Sequence, residues 1–146
     1  MSPARERFFL DTNIFVYTFD SRSPSKRARA NDLVTRALDT RLGIISYQVV
    51  QEFLNVATRK FPKPMMPAEA QLYLARILLP LCEVFPDSSL YGQALSICEE
   101  AQISFYDALI ASSAIAGDCR ILWTEDLQHK QRIRNLEIRN PFLDKI

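Results

Sequence analysis

The sequence predicts an α/β fold, a three-layer α/β/α sandwich with a mostly parallel central sheet. Short apolar runs alternate along the chain with longer segments in which apolar residues recur at helical spacing. This alternation is typical of parallel strands joined by helices that cover both faces of the sheet. A length of 146 residues suits one domain with a substantial core, so residues 1–146 are expected to form a single domain.

The first strand is expected at residues 8–10, and a helix should begin directly after it, with Thr12 or Asn13 as its cap. A second helix should begin at Ser23-Pro24, because proline is favoured in a first helical turn. The proline-rich segment 61–67 is predicted to be a stiff connector within the domain. Further strands are expected at 43–46, 81–85, 120–124 and within 136–142, and further helices at 47–60, 68–79, 88–101 and 104–116.

Composition excludes several classes of protein. No apolar stretch approaches the roughly 20 residues of a membrane span, and the first residues do not have the pattern of a secretory signal. The three cysteines lack the spacing of a metal site and are expected to be reduced thiols in a cytoplasmic protein. Because the net charge is only +1, contact with nucleic acid would depend on local basic patches. The single histidine, His129, leaves no catalytic triad of serine, histidine and aspartate to propose.

Two acidic residues directly follow predicted strands. Asp11 comes after residues 8–10, and Asp126 follows residues 120–124, with Glu125 as an alternative to it. The carboxyl ends of parallel strands are where open α/β sheets bind ligands. Asp11 considered alone is better explained as a helix cap.

Two further acids lie on predicted helices. Glu52 lies at the border of the apolar face of helix 47–60, where it could reach into a cleft or remain a solvated flanking residue. Asp107 lies in the first turn of a helix that is apolar nearly all round, where the helix dipole stabilises its charge. Ser104 and Asp107 also match a capping box, which is compatible with a second role for the carboxylate.

All four acids could meet at the carboxyl edge of one sheet. Two carboxylates about 5 Å apart repel by about 3 kcal/mol at an effective dielectric constant of 20. A hard divalent cation would relieve this repulsion, because Mg²⁺ and Mn²⁺ prefer oxygen ligands. Such an ion polarises a phosphoryl oxygen and activates water, and this chemistry requires no catalytic histidine.

At these residues the chain resembles the PIN-domain family and, within it, the VapC-like toxin ribonucleases. The resemblance extends over nearly the whole chain, and its strength lies in the order and spacing of the matching segments. These segments are Leu10-Asp11-Thr12-Asn13, Gln51-Glu52-Phe53-Leu54-Asn55-Val56, Tyr106-Asp107-Ala108-Leu109-Ile110, Thr124-Glu125-Asp126-Leu127-Gln128-His129 and Asn140-Pro141-Phe142.

The resemblance implies a parallel α/β/α sandwich and metal-dependent endonucleolytic cleavage of RNA, with the protein acting as the toxin of a toxin–antitoxin pair. Proteins of this group are often homodimers, and a small antitoxin protein often silences them by bringing a basic side chain to the acidic site. The family pattern assigns metal binding and catalysis to Asp11, Glu52, Asp107 and Asp126, with Thr12, Asn13 and Thr124 as supporting residues.

Basic residues that could contact RNA phosphates form two groups. Lys26, Arg27 and Arg29 follow the first helix and could lie near Asp11. Arg132 and Arg134 form the second group. For any one of these residues, an ordinary solvated helix charge is the favoured interpretation.

Other families begin with an aspartate after an apolar strand but fit less well. A haloacid-dehalogenase-like phosphatase needs a second aspartate two residues on, where this chain has Asn13. In a receiver-like signalling domain Asp87 would accept the phosphoryl group, but the acidic pair and the lysine of that family are missing. A non-catalytic PIN-like module that binds RNA or a partner protein remains an alternative.

Overall fold

A six-stranded sheet lies at the centre of the structure, a computed structural model that describes residues 6–143. Its strand order is β3-β2-β1-β4-β6-β5, and every neighbouring pair is parallel except β5 with β6. The mostly parallel α/β sheet predicted from the sequence is therefore confirmed. The strands are β1 (Phe8–Leu10), β2 (Gly43–Ser46), β3 (Cys82–Val84), β4 (Ile121–Trp123), β5 (Arg132–Ile133) and β6 (Leu136–Arg139).

Helices cover both faces of this sheet. All three residues of β1 are buried, and successive residues of a strand point to opposite faces, so neither face is open to solvent. A π-helical turn at Leu74–Leu78 separates two of the helices. The helices are α1 (Thr12–Tyr17), α2 (Pro24–Thr40), α3 (Tyr47–Arg59), α4 (Pro67–Tyr73), α5 (Leu79–Leu81), α6 (Ser88–Ala101) and α7 (Phe105–Ala116).

The chain changes direction between β1 and β4. It passes outward from β1 to β2 and β3, and then returns to lay β4 on the other side of β1. The loops after β1 and β4 therefore diverge, which leaves a crevice at the carboxyl ends of these two strands.

Helix α3 shows how the sequence pattern places a face. Val49, Val50, Phe53 and Ala57 are buried, which confirms the predicted apolar face. Phe53 stacks on Tyr73 with ring centroids 4.8 Å apart. Its ring also lies near those of Phe19 and Phe61, with centroids 6.0 and 6.1 Å away. The opposite face of α3 is exposed to solvent.

The proline-rich connector 61–67 packs against the domain. Phe61 and Met65 are partly buried against the main hydrophobic core, and the Met65 N–H donates to the carbonyl of Ala57 at 2.9 Å. These contacts agree with its predicted role as a connector within the domain.

The structure corrects several local expectations. The N-terminal cap of α1 is Asp11, whose side chain accepts a hydrogen bond from the Thr12 N–H. The prediction that Thr12 or Asn13 caps this helix was therefore wrong. The helix predicted at 68–79 is interrupted by the π-helical turn just before Pro80, which has no N–H to donate. The hairpin that β5 forms with β6 was not predicted, because β5 is only two residues long and its turn has Arg134, not glycine, at a φ of 57°.

Close packing between α2 and β2 depends on Gly43. A Cβ atom at this position would lie 2.3 Å from the Cβ of Ala37 and 2.6 Å from the ring of Phe8. The missing side chain therefore lets the helix approach the sheet. On α2 itself Ala30 and Ala37 are buried, whereas Ala28 is exposed, although its spacing from Leu33 and Ala37 had indicated the apolar face.

None of the helices within residues 6–143 has both the length and the apolar character that crossing a bilayer requires.

Candidate active site

Asp11 lies at the crevice between β1 and β4. It directly follows β1, and its N–H donates to the carbonyl of Trp123, which extends the pairing of the two strands by one bond of 3.1 Å. The residue is only 6% exposed. The strand ladder therefore fixes the backbone beneath this carboxylate.

Both carboxylate oxygens of Asp11 accept hydrogen bonds. Oδ1 accepts from the Thr12 N–H at 2.7 Å, and Oδ2 accepts from the Thr124 hydroxyl at 2.7 Å. Burial raises the pKa of Asp11 to about 7; these two hydrogen bonds oppose the rise, and the charges of Asp126 and Glu52 add to it. The site thus contains a carboxylate whose negative charge is costly without a cation.

Asp126 is held beside Asp11 by two neighbours. Its N–H donates to the Thr124 hydroxyl at 3.0 Å, and the Asn13 amide lies 3.2 Å from each of its carboxylate oxygens. Burial raises the pKa of Asp126, the charges of Asp107 and Glu125 add to the rise, and hydrogen bonding to Asp11 opposes it. Asn13 and Thr124 therefore support the acidic residues through direct contacts.

Glu125, the alternative to Asp126, faces other partners. Its Oε1 accepts from the Tyr17 hydroxyl at 2.5 Å, and its Oε2 lies 3.5 Å from Nζ of Lys26. These contacts direct the carboxylate toward α1 and α2. Of the two neighbouring acids, Asp126 is the one that shares the Thr124 hydroxyl with Asp11.

Glu52 reaches the crevice from α3. Burial raises the pKa of its carboxyl group, hydrogen bonding with Gln48 opposes the rise, and the charges of Asp126 and Asp107 add to it. The residue as a whole is exposed, but its carboxyl group is partly desolvated. The border position predicted for Glu52 is therefore where the structure places it.

Asp107 approaches from the first turn of α7. Its N–H donates to the Ser104 hydroxyl at 3.2 Å, so Ser104 caps the helix as the motif predicted. Helix α7 buries an unbroken run from Ala108 to Ala114, which fixes the position of its first turn. The charge of Asp107 acts on both Glu52 and Asp126.

The structure thus brings all four predicted acids to one edge of the sheet, where their charges influence one another. Within residues 6–143, no three acidic, histidine or cysteine side chains are close enough together to bind one ion as they stand. The donor set nevertheless suits a hard cation, because it consists of oxygens and includes the buried Thr12 hydroxyl, which lies beside Glu52. Metal binding by these residues remains a prediction.

The first basic group makes internal contacts. Nε of Arg29 donates to the carbonyl of Pro141 at 3.0 Å, and the guanidinium lies over the ring of Trp123. Lys26 lies over the rings of Tyr17 and Phe142 in addition to its ion pair with Glu125. Arg27 is exposed.

The second basic group is similarly paired. Arg134 forms two hydrogen bonds with Glu100, and Arg132 pairs with Glu137 at 3.3 Å. RNA contact by either group remains a prediction.

Sequence reasoning missed two residues of the site. Gln48 precedes Glu52 by one helical turn, and this spacing could have identified it as a partner of that acid. Tyr17 binds Glu125 from the end of α1, and no sequence signal distinguishes it from an ordinary half-buried tyrosine.

Comparison with known families gives an independent result. The family profile described as "PIN domain" matches residues 8–134, which is most of the chain and contains all four acids. A comparison with curated proteins gave no significant match.

Two of the solved structures similar to this chain are of VapBC proteins bound to DNA. VapBC2 from Rickettsia felis, bound to a DNA fragment from its promoter, has 26% sequence identity and a TM-score of 0.61, over 91% of this chain and 97% of that chain. DNA-bound VapBC from Salmonella typhimurium has 20% identity and a TM-score of 0.64, over 93% and 98% of the two chains.

A third similar structure is a toxin described by its substrate. VapC20 from Mycobacterium tuberculosis, a toxin that cleaves the sarcin–ricin loop, has 18% identity and a TM-score of 0.56, over 82% of this chain and 91% of that chain. The profile match and these fold similarities agree with each other and with the motifs in the sequence. This chain belongs to the PIN-domain family, and its fold is that of the VapC-like toxins.

Proposed function

We propose that this protein is a Mg²⁺- or Mn²⁺-dependent endoribonuclease and the toxin of a toxin–antitoxin pair. One observation carries the proposal: the buried Asp11 carboxylate lies at the crevice between β1 and β4, with the charges of Asp126 and Glu52 acting on it. Membership of the PIN family and the similarity to VapC20 support a nuclease that acts on RNA.

Each acid has a distinct part in the proposal. Asp11 and Asp107 would be the principal ligands of the ion, and Glu52 and Asp126 would complete its coordination directly or through water. When bound, the ion would polarise a phosphoryl oxygen and make water a stronger nucleophile.

The remaining residues of the site would orient and bind. Thr124 and Asn13 would hold Asp11 and Asp126 in place, and the Thr12 hydroxyl would supply a further oxygen. His129 is not needed as a base, since its Nδ1 accepts from the Asn140 N–H at 2.9 Å and so supports the fold.

The proposal includes partners. Several structural neighbours are toxin–antitoxin complexes, some bound to DNA, which supports a small antitoxin protein as a partner of this chain. We further propose that the protein forms a homodimer and acts in the cytoplasm, where its three free cysteines would stay reduced. We take residues 1–146 as one PIN-like domain.

A non-catalytic PIN-like module that binds RNA or a partner is the second candidate. It is favoured by the spacing of the acids, because within residues 6–143 no three potential ligands are close enough to bind one ion. An active nuclease requires the side chains to draw together around the ion, whereas a binding module does not.

Cleavage assays separate the two candidates. Purified protein would be incubated with structured and single-stranded RNA in Mn²⁺, and again in excess EDTA. The nuclease proposal expects cleavage that EDTA abolishes and that Asp11→Asn or Asp107→Asn removes, with the thermal unfolding transition retained. Asp32→Asn, on the exposed side of α2, is the matched control and should cut at the wild-type rate. RNA left intact by wild-type protein, or wild-type rates in both site variants, would exclude this assignment.

A further inference from the structure

A cavity of about 360 Å³ adjoins the acidic residues. It lies between the start of α3 and the helices α6 and α7, and its volume is within the usual range of small-ligand pockets. The cavity is formed mainly by apolar and aromatic side chains with a few polar groups. Its lining includes Ser46, Tyr47, Gln48, Tyr91 and Tyr106.

Two of the polar groups in this cavity lack partners. The hydroxyl of Ser46 and Oε1 of Gln48 are both buried and make no hydrogen bond within the protein. Ser46 is 2% exposed, and although it is the residue before α3, its side chain does not cap that helix. Because buried polar groups are nearly always paired, two unpaired ones in one cavity indicate a ligand with complementary donors and acceptors.

Aromatic rings stand around the same cavity. Tyr47 and Tyr91 are each 42% exposed, and Tyr106 is 69% exposed. Planar faces exposed beside a cavity suit a flat aromatic ligand. Unpaired RNA bases are commonly recognised in this way, by stacking on aromatic side chains combined with hydrogen bonds to their edges.

Two residues that line the cavity are neighbours of acidic residues. The side chain of Gln48 lies within hydrogen-bonding reach of Glu52. Oε1 of Gln48 is the unpaired acceptor in the cavity. Tyr106 is the neighbour of Asp107 in the sequence and lines the cavity. A nucleotide with its phosphate at the acids would therefore have its base, or the next base, within reach of the cavity.

We infer that this cavity receives one unpaired base of the RNA substrate, next to the scissile phosphate. An N–H on the base edge would donate to Oε1 of Gln48, the Ser46 hydroxyl would bond the same edge, and tyrosine rings would contact the base face. This inference rests on the proposed function, since it assigns to the RNA a position relative to the acids.

A second protein copy is the competing occupant, because exposed aromatic residues also occur at interfaces. The unpaired atoms of Ser46 and Gln48 favour the base, which brings hydrogen-bonding groups into a narrow space. Leu95 helps to distinguish the two. It is 61% exposed on the helix that carries Tyr91, but it does not line the cavity.

The test is an abasic scan in EDTA, so that RNA binds without being cut. A single-stranded RNA oligonucleotide and versions lacking one base at a time would be titrated against wild-type protein by fluorescence anisotropy. We expect one position to lose about tenfold in affinity, the size of a lost stacking contact. Tyr106→Ala should weaken binding of the intact RNA to a similar degree, whereas Tyr106→Phe and Leu95→Ala should bind like wild type.

Ser46→Ala gives a result that a purely structural role would not. Removing an unpaired buried hydroxyl should leave the melting temperature unchanged or higher, yet reduce affinity for the intact oligonucleotide about threefold. An equal loss at every abasic position, or no loss at any, would overturn the inference whether or not the protein cuts RNA. A change in oligomeric mass caused by Tyr106→Ala and Leu95→Ala alike, with RNA affinity unaltered, would also overturn it in favour of a protein interface.

Discussion

The Thr124 hydroxyl donates to Oδ2 of Asp11 at 2.7 Å and accepts from the N–H of Asp126 at 3.0 Å. One buried side chain therefore links two acids that are separated by most of the chain. Because Thr124 follows β4 and Asp11 follows β1, the link spans the crevice at the carboxyl ends of the paired strands.

Replacing Thr124 should affect both stability and cleavage. Thr124→Val keeps the shape but leaves Oδ2 of Asp11 buried with one donor fewer, which should cost roughly 1–3 kcal/mol in free energy of unfolding. Denaturant unfolding monitored by circular dichroism measures this change. Thr124→Ser retains the hydroxyl and should remain closer to wild type in stability and in cleavage rate. Equal stability of the valine variant and wild type would show that this hydrogen bond contributes nothing.

The stability of the metal-free protein should depend on pH through Asp11. Burial raises the pKa of this carboxyl from 3.8 to about 7, so the folded state binds its proton more tightly than the unfolded state. The resulting stabilisation is complete below the unfolded pKa and is lost as the pH rises through the folded one. In EDTA, melting temperatures of wild type should therefore fall from about pH 4 to pH 8 relative to those of Asp11→Asn.

Metal should reverse this loss. At about pH 8 added Mn²⁺ should raise the melting temperature of wild type, because an ion that binds only the folded state stabilises it. Asp11→Asn should respond much less. Parallel pH profiles of the two proteins would argue against a buried carboxylate with a raised pKa.

Asp126 and Glu125 should respond differently to neutralisation. Asp126→Asn removes a charge that faces Asp11, and we expect cleavage to fall roughly ten- to a hundredfold. Glu125→Gln retains an acceptor for Tyr17 and loses only a partly exposed ion pair with Lys26, so cleavage should stay near the wild-type rate. Initial rates on one RNA substrate in Mn²⁺ measure both effects. A larger loss in the Glu125 variant would reverse the assignment.

Two glycine substitutions should change stability in opposite directions. Gly43→Ala places a Cβ 2.3 Å from the Cβ of Ala37 and 2.8 Å from its Cα, so backbone must move, at a cost of roughly 1–3 kcal/mol. Gly92→Ala lies within α6 with nothing within 4 Å of the new atom, and should gain up to about 1 kcal/mol in helix propensity. Thermal unfolding of both variants tests the pair. A Gly43 variant as stable as wild type would mean that the helix can shift freely on the sheet.

The fold was predictable because its central strands β1, β2 and β4 are apolar on both faces, and helices such as α3 are apolar on one. The run Phe8–Leu10 and the stripe on α3 that contains Val49 and Phe53 are strong patterns of this kind. The hairpin turn at Arg134 was missed because it depends on a backbone geometry that arginine does not favour. Pro80 indicated that the preceding helix ends, but not that its last turn is π-helical.

The site was predictable to the level of its acids, since each follows a strand or lies at a recognisable position of a helix. The contacts of these acids with one another and with their neighbours could not be predicted. Glu125 and Asp126 are adjacent and chemically similar, and only the positions of Tyr17 and Asn13 in space separate their surroundings. The two unpaired atoms of Ser46 and Gln48 were equally hidden, because whether a polar group lacks a partner depends on the whole tertiary structure.

The wide separation of residues 11, 52, 107 and 126 in the chain has a consequence for biosynthesis. A nascent chain that still lacks β4 and the loop after it has Asp11 but none of the groups that Thr124 and Asp126 bring to it. The complete set of acids can therefore assemble only after the chain through Asp126 has left the ribosome. A fragment that stops before β4 would therefore fold, if at all, without a complete acidic site.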